Sequence, residues 1–494
     1  MWSLFRRSKS NPATGVGWDL SRPLVWLSPS DPWTIGDACQ GVQVFGATGS
    51  GKTSGVMAWL LSACLRTGCG VLLLTVKPGD RAFYERLILE AGRTSDLVLF
   101  GPEHGQTFNF LDAELSRTDR GAGHVANLVR LFSTVIELAD RGQRGGGRDE
   151  ESYWKRTNQQ LLTNTLELLV QAKGRITIPD LHRLVVSAPT SNEQLQSETW
   201  RKTSFCFECL READAKSTGH HQHDLRLATD FFCLDWPNLS DKTRSIILST
   251  LTSMLDILGR GIVRELLSAE TTTVRPEMAC DGKLILIDMP LKQFGEAGLM
   301  VQTIWKYCFQ MAMERRDVTA NPRPVCLVVD ESHLLTSSED ALFQTTARSS
   351  RVITLYSTQS ISNYLAAFGG DKAEAEVHSL LGNLQSQFFC QQADIKTNSY
   401  AAELIGRNRQ WFFNSNQSHG AADCFDLLIG GRASTGGSAG ISESYEFEVQ
   451  PNVFTTLKQG GPPDWLVKAI VVRGGRRFHK TGRAWLPISI RQTV

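Results

Sequence analysis

Apolar positions in this chain follow two regimes. In the first and last parts they form short continuous runs, each closed by Gly, Pro, Asp or Gln: VQVF at 42–45, GVLLLTV at 70–76, DLVLFGP at 96–102, KLILIDMP at 283–290, PVCLVVDES at 324–332, RVITLYSTQS at 351–360 and QSQFFCQQ at 385–392. Such runs predict strands buried on both faces of a parallel sheet. Residues 56–66, 81–91, 297–315 and 339–348 lie between them with helical spacing. From 110 to 279 the alternation stops and apolar residues recur at helical spacing throughout, as in HVANLVRLFSTVIELA and WKRTNQQLLTNTLELLV. The pattern predicts an α/β core, 41–109 and 280–494, interrupted by an inserted all-α domain, 110–279.

The ends are less regular. Residues 1–40 have no sustained period and predict an irregular arm, whose Trp18, Trp26 and Trp33 either anchor it on the core or meet a neighbouring subunit. GGRASTGGSAG at 430–440 predicts a flexible loop between two β-rich pieces. ADIKTNSYAAELIG predicts a short helix ending at Gly406, and DWLVKAIVVRGG a strand forming a hairpin with residues around Phe478.

Composition narrows the class without choosing a function. With 494 residues, 41% apolar and 21% charged, the chain has enough core for two or three globular domains. A formal charge of +1 offers no general basic excess, so any DNA contact must come from local patches. No stretch approaches the roughly 20 apolar residues that span a bilayer, and MWSLFRRSKSNPATG has no apolar run behind its arginines. A soluble, cytoplasmic protein without direct membrane insertion is expected. Eleven cysteines, an odd number scattered through apparent core elements, suit reduced buried thiols.

The first chemical signal is GATGSGKTS, Gly46, Ala47, Thr48, Gly49, Ser50, Gly51, Lys52, Thr53 and Ser54, set between a strand and a helix. That context suits a phosphate-binding P-loop, in which the glycines let successive amides turn toward one anion. Lys52 would reach the β- and γ-phosphates of ATP, and the Thr53 hydroxyl would hold Mg²⁺. CLVVDES supplies the second half: Asp330 ends a buried strand and would steady Mg²⁺ through water, while Glu331 would polarise the attacking water. Gln359, in STQS after the next strand, either senses the γ-phosphate or caps the following helix. Arg348 and Arg351, between the carboxylates and this glutamine, either neutralise transition-state charge in a neighbour's site or sit at a solvated helix end.

Two weaker constellations lie elsewhere. CFEC carries Cys206 and Cys209, and GHHQH carries His220, His221 and His223, with Cys233 beyond. The set is open to a structural zinc held by Cys206, Cys209, His220 and His223, or to helix-packed thiols beside a solvated histidine cluster. For DNA, the candidates are Arg141, Arg144 and Arg148 in one turn and Arg473, Arg476 and Arg477 in another, though such clusters are more often solvated turns.

The ordered set GATGSGKTS, YWKRTNQQLL, VVDESHLL, ARSSRVITLYSTQS and ADIKTNSYAAELIG resembles the coupling-protein ATPases of conjugation and type IV secretion, the TraG/TraD type of the FtsK/HerA motors. The resemblance implies a RecA-like P-loop NTPase core carrying an all-α domain. It also implies a hexameric ring with ATP and Mg²⁺ at subunit interfaces, single- or double-stranded DNA in a central channel, and a relaxase or secretion-channel proteins as partners. By position it makes Lys52 and Thr53 the P-loop pair, Asp330 and Glu331 the second nucleotide motif, and Gln359 the glutamine after the following strand. Arg348, eleven residues before that glutamine, becomes the trans-acting arginine.

Two departures from the family pattern matter. Members carry transmembrane helices ahead of the P-loop where this chain has a polar arm, so membrane recruitment would need another protein. An acidic-Pro-Lys-Gly-Glu turn reads Val76-Lys77-Pro78-Gly79-Asp80 here, which leaves Lys77 and Asp80 without a role. Two other functions stay open: a cytoplasmic FtsK/HerA-like translocase with a nuclease partner in mobile-element maintenance or phage defence, and a nucleotide-dependent assembly switch or adaptor for protein substrates.

Overall fold

The computed structural model describes residues 17–118, 124–139, 148–419 and 435–492. Its strands in chain order are β1 (Pro23–Ser28), β2 (Asp31–Thr34), β3 (Val42–Phe45), β4 (Gly70–Leu74), β5 (Leu97–Phe100), β6 (Leu284–Ile287), β7 (Val325–Val329), β8 (Val352–Thr358), β9 (Ser386–Phe389), β10 (Arg407–His419), β11 (Thr435–Phe447), β12 (Leu466–Arg473) and β13 (Trp485–Arg491). Nine of them make one sheet in the order β13-β12-β9-β3-β8-β7-β4-β6-β5. From β9 to β5 every pair is parallel, and the β12/β13 hairpin adds antiparallel to β9. The fold class is α/β, as the unbroken apolar runs predict.

Apart from β5 at the sheet edge, where Leu97, Val98 and Leu99 are half-buried, those runs are buried on both sides because alternate residues face different cores. Val42, Val44, Val71, Leu73, Cys326, Val328, Ile353 and Leu355 pack with Leu60, Leu61, Cys64 and Leu65 of the helix Ala58–Thr67. Phe45, Leu72, Leu74, Leu327, Val329 and Tyr356 face the opposite layer, which includes Trp305 of the helix Leu291–Arg315. Each buried Val, Leu, Ile or Phe among them contributes about 1.5–3 kcal/mol through removal from water. A buried ion pair joins Lys306 of that helix to Asp340 near the start of the helix Ser338–Ala347, and Asp340 also accepts from Gln310 and Tyr356.

Between β5 and β6 all the regular elements among the described residues are helices. The helices include Val125–Ala139, Arg148–Lys173, Ile178–Ser187, Phe205–Lys216, His220–Asp230 and Asp241–Leu258. Local signals set their starts: Thr177 and Asp180 form a reciprocal capping box, and Ser204 and Ser240 accept from Phe207 N and Thr243 N. Their apolar faces, with Leu162, Leu166, Leu181, Leu184, Ile247 and Leu251, continue the core on one side of the sheet. Among the described residues no single helix is long and apolar enough to cross a membrane.

Two terminal expectations need correction. Residues 23–38 of the arm are not irregular: β1 and β2 pair antiparallel, and Thr34 caps a short helix, Ile35–Ala38, through a capping box with Asp37. Val25 and Leu27 alternate inward, a pattern too short to stand out beside the prolines and serines. Trp33 is fully buried and donates to Ser386 Oγ at 3.1 Å, and Arg323 packs over the Trp18 ring, whereas Trp26 is exposed. The second correction concerns 435–440, which belong to β11 and pair with 414–419 of β10, since β10 supplies the ladder that a Gly/Ser sequence does not specify by itself. The remaining loop residues up to 434 lie outside the described residues. The predicted C-terminal hairpin exists, with β13 as the partner of β12 and Phe478 in the connection.

Candidate nucleotide site

The segment 46–54 leaves the carboxyl end of β3, between β9 and β8 in the parallel sheet. Gly46 N donates to Thr358 O at 3.2 Å and Ala47 N to Gln391 O at 2.9 Å, which ties the loop to the ends of β8 and β9. Gly49 and Gly51 have φ of 79° and 81°, values that favour glycine. A Cβ on Gly46 would come within 2.3 Å of Ser50 Oγ, so this turn also needs the missing side chain. The chain then enters a widened first turn, Lys52–Met57, and continues into the helix Ala58–Thr67. Ser50 Oγ is buried without a hydrogen-bond partner, a donor left over inside the cradle.

Sheet order brings the distant motif back. β8 separates β3 from β7, and β7 delivers Asp330 and Glu331 at its carboxyl end. Thr53 Oγ1 lies 3.1 Å from Asp330 Oδ2, and Ser357 donates its hydroxyl to Asp330 Oδ1. Glu331 adopts φ 50°, a left-handed conformation that costs a non-glycine residue about 1–2 kcal/mol. Its Oε1 receives Lys52 Nζ at 3.2 Å and Lys77 Nζ at 3.1 Å, with Gln359 Nε2 at 3.5 Å. Its Oε2 is buried and has no hydrogen-bond partner. Burial pushes the Glu331 carboxyl up, but Lys52 and Lys77 outweigh this and hold it below its ordinary value.

Ser360, not Gln359, caps the helix Ile361–Phe368 by accepting from Asn363 N. The Gln359 side chain is thereby left toward Glu331, and the Gln359 backbone carbonyl accepts from Gln392 Nε2.

Sequence reasoning gave no role to three residues at this edge. Lys77 follows β4, the other neighbour of β7, and lies 3.6 Å from Asp330 Oδ2 as well as against Glu331. Burial lowers its pKa, yet Asp330 and Glu331 raise it above the ordinary lysine value. His333 places Nδ1 3.0 Å from Thr358 Oγ1 and 3.9 Å from Glu331 Oε2, and burial pushes its pKa down against the pull of Glu331. Gln392 links the ends of β8 and β9. The available signal was topological, since residues just past parallel strands share one crevice.

Arg348 stands elsewhere. It is exposed at the end of the helix Ser338–Ala347 and precedes β8, whereas the P-loop lies past the other end of that strand, so the two occupy opposite sheet edges. Arg351 instead donates to Trp18 O at 2.9 Å and Pro322 O at 3.0 Å, a structural tie between segments.

Among the DNA candidates, Arg473 is buried and paired with Asp37, and Arg476 reaches the same carboxylate at 3.3 Å. This corrects their reading as a phosphate-facing cluster, because Asp37 already takes both charges; Arg477 remains exposed. Arg141 and Arg144 lie outside the described residues, and only the backbone is described for Arg148.

Of the candidate zinc set, the side chains of Cys206, Cys209 and His223 are described, and they do not form a metal-holding group. Among the described residues no group of three or more His, Cys, Asp or Glu side chains could hold a metal ion. Cys206 and Cys209 are buried in the helix Phe205–Lys216, while His221 and His223 are exposed; only the backbone of His220 is described. Burial pushes the Cys209 thiol up to about 12, which favours a neutral packed thiol.

Comparison with known proteins agrees with this architecture. Residues 324–447 match the family model described as the TraM recognition site of TraD and TraG. No curated protein matches the sequence significantly. Among solved structures, the trigonal form of the bacterial conjugative coupling protein TrwBdeltaN70 with sulphate matches with TM-score 0.59 at 15% identity, covering 95% of this chain and 89% of that one. The plasmid coupling protein TrwB with the GTP analogue GDPNP gives 0.58 at 15% identity over 95% and 89%. TrwB with ADP and Mg²⁺ gives 0.57 at 15% over 94% and 88%. The chain thus has a RecA-like P-loop core with an all-α part, and the stretch bearing Asp330, Glu331, Arg348 and Gln359 matches the TraD/TraG model: it resembles the type IV coupling-protein ATPases.

Proposed function

We propose that this protein is an ATPase that assembles into a hexameric ring and couples ATP hydrolysis to DNA movement, as a coupling protein for conjugative or type IV secretion transfer. The observation that carries the reading is the state of Glu331. Three donors converge on Oε1 while Oε2 is buried with no hydrogen-bond partner, which is how a general base for a water proton should be presented.

The remaining roles follow from position. Amides of 46–51 and the Lys52 ammonium receive the phosphates, and Thr53 directly and Asp330 through water would hold Mg²⁺. A hydroxyl and a carboxylate 3.1 Å apart are the hard oxygen donors this ion takes. When bound, Mg²⁺ neutralises charge on the phosphates. Gln359, directed at Glu331, reports whether the γ-phosphate is present. Arg348, on the far edge of the sheet, acts on a neighbouring subunit's site and stabilises charge there.

Residues 41–109 and 280–494 form the motor and 110–279 its helical domain. TrwB's structures with GDPNP, ADPNP, and ADP with Mg²⁺ support extending nucleotide and Mg²⁺ to this chain. The TraM-recognition description of 324–447 supports docking of accessory proteins there, with a relaxase among the partners. We place the protein in the cytoplasm, recruited to the inner face of the membrane. Mass measurement in solution with ATP and DNA tests the assembly: six-subunit particles are expected, and a monomer under every nucleotide and DNA condition would refute the ring.

A further inference from the structure

Lys77 sits in a turn built to present it. Asp80 is buried and its Oδ2 accepts from Val76 N at 2.7 Å and Lys77 N at 2.8 Å, while Lys292 N donates to Val76 O at 3.0 Å. The backbone is therefore fixed from two sides. The side chain is not: it is 47% exposed, and its ammonium reaches Glu331 Oε1 at 3.1 Å across the crevice.

That oxygen is already taken by Lys52 Nζ at 3.2 Å. Two ammonium groups on one carboxylate oxygen repel each other, and Asp330 at 3.6 Å from Lys77 relieves this only in part. An anion with more charge and more oxygens, lying where Lys52 reaches, would hold both cations better. The terminal phosphate of a nucleoside triphosphate is such an anion, and Lys77 approaches from β4 while Lys52 approaches from β3.

Resting on the ATPase reading above, we propose that Lys77 is a second phosphate-binding lysine of this site, whose ammonium passes from Glu331 Oε1 to the γ-phosphate of bound ATP. The transfer leaves Glu331 with one cation fewer at the stage when it must align water. It also makes the 76–80 turn sensitive to ATP against ADP, because the diphosphate lacks the group Lys77 would hold.

The test is calorimetric titration of the full chain with Mg²⁺ and either a non-hydrolysable ATP analogue or ADP, for wild type, Lys77→Ala, Lys77→Gln, Lys77→Arg and Lys52→Ala. The expected result is about a tenfold loss of analogue affinity in Lys77→Ala and Lys77→Gln, ADP affinity within about twofold of wild type, and recovery of most analogue affinity in Lys77→Arg. Lys52→Ala should lose both ligands. Equal loss of analogue and ADP, or no loss of either in folded Lys77→Gln, would overturn the proposal and leave Lys77 as a fixture of the carboxylates. A wild-type protein that binds neither nucleotide would overturn the ATPase reading and this inference with it.

Discussion

Thr53 Oγ1 and Asp330 Oδ2 meet at 3.1 Å although 277 positions separate them. The contact depends on register: Phe45 lies opposite Thr358 on β8, and Tyr356 opposite Val329 on β7. A slip of one residue in either pairing would turn the carboxylate-bearing edge inside out. With Thr53 Oγ1 as the expected direct Mg²⁺ ligand and Asp330 steadying the ion through water, chelation of divalent cations by EDTA should abolish ATP turnover, and Thr53→Ala should raise the Mg²⁺ concentration needed for half-maximal rate. Turnover unaffected by EDTA would refute the assignment.

Glu331→Gln keeps the size of the side chain and its contact with Lys52 while removing the base. ATP should still bind, and the hydrolysis rate should fall by at least about 10²-fold in a single-turnover assay.

Arg348 cannot reach its own P-loop, so its effect should appear only between subunits. Arg348→Ala and Glu331→Gln should each be inactive alone. Mixed rings should recover part of the activity, because some interfaces pair an intact Glu331 with a neighbour's intact Arg348. Mixtures that stay inactive would assign Arg348 to its own subunit or to none.

How much of this could be read beforehand depended on whether the chemistry was local in sequence. GATGSGKTS, the apolar runs and the helical insertion carry their own periodicity, and the Asp330-Glu331 pair follows an unbroken buried run. Lys77 and His333 were not legible, because their roles arise from strand order: β4 beside β7, and Thr358 beside the 331–333 turn. The arm failed differently, since β1 and β2 are too short to show a period, and buried Trp33 donates to Ser386, more than 350 positions away. Arg473 and Arg476 looked like a basic patch only because Asp37 is distant in sequence.

The Lys306–Asp340 pair tests the core behind the site. Both side chains are almost fully buried, so Asp340→Asn leaves an uncompensated ammonium and should cost about 3–5 kcal/mol in denaturant unfolding. Burial pushes the Asp340 carboxyl up, but Lys306 and its hydrogen bonds hold it below the ordinary value. A depressed folded pKa stabilises fully above the unfolded aspartate value and is lost as pH falls through the folded one. Wild-type stability should therefore fall on acidification below about pH 4, and the Asp340→Asn contribution to that fall should be missing.

The central claim is that hydrolysis at Glu331 serves movement of DNA. The direct measurement is steady-state ATP hydrolysis by assembled wild-type protein with no DNA, single-stranded DNA and double-stranded DNA, with Glu331→Gln as the blank. The account predicts a rate that rises severalfold with at least one form of DNA and vanishes in Glu331→Gln. A rate in assembled rings that neither form of DNA changes would contradict it.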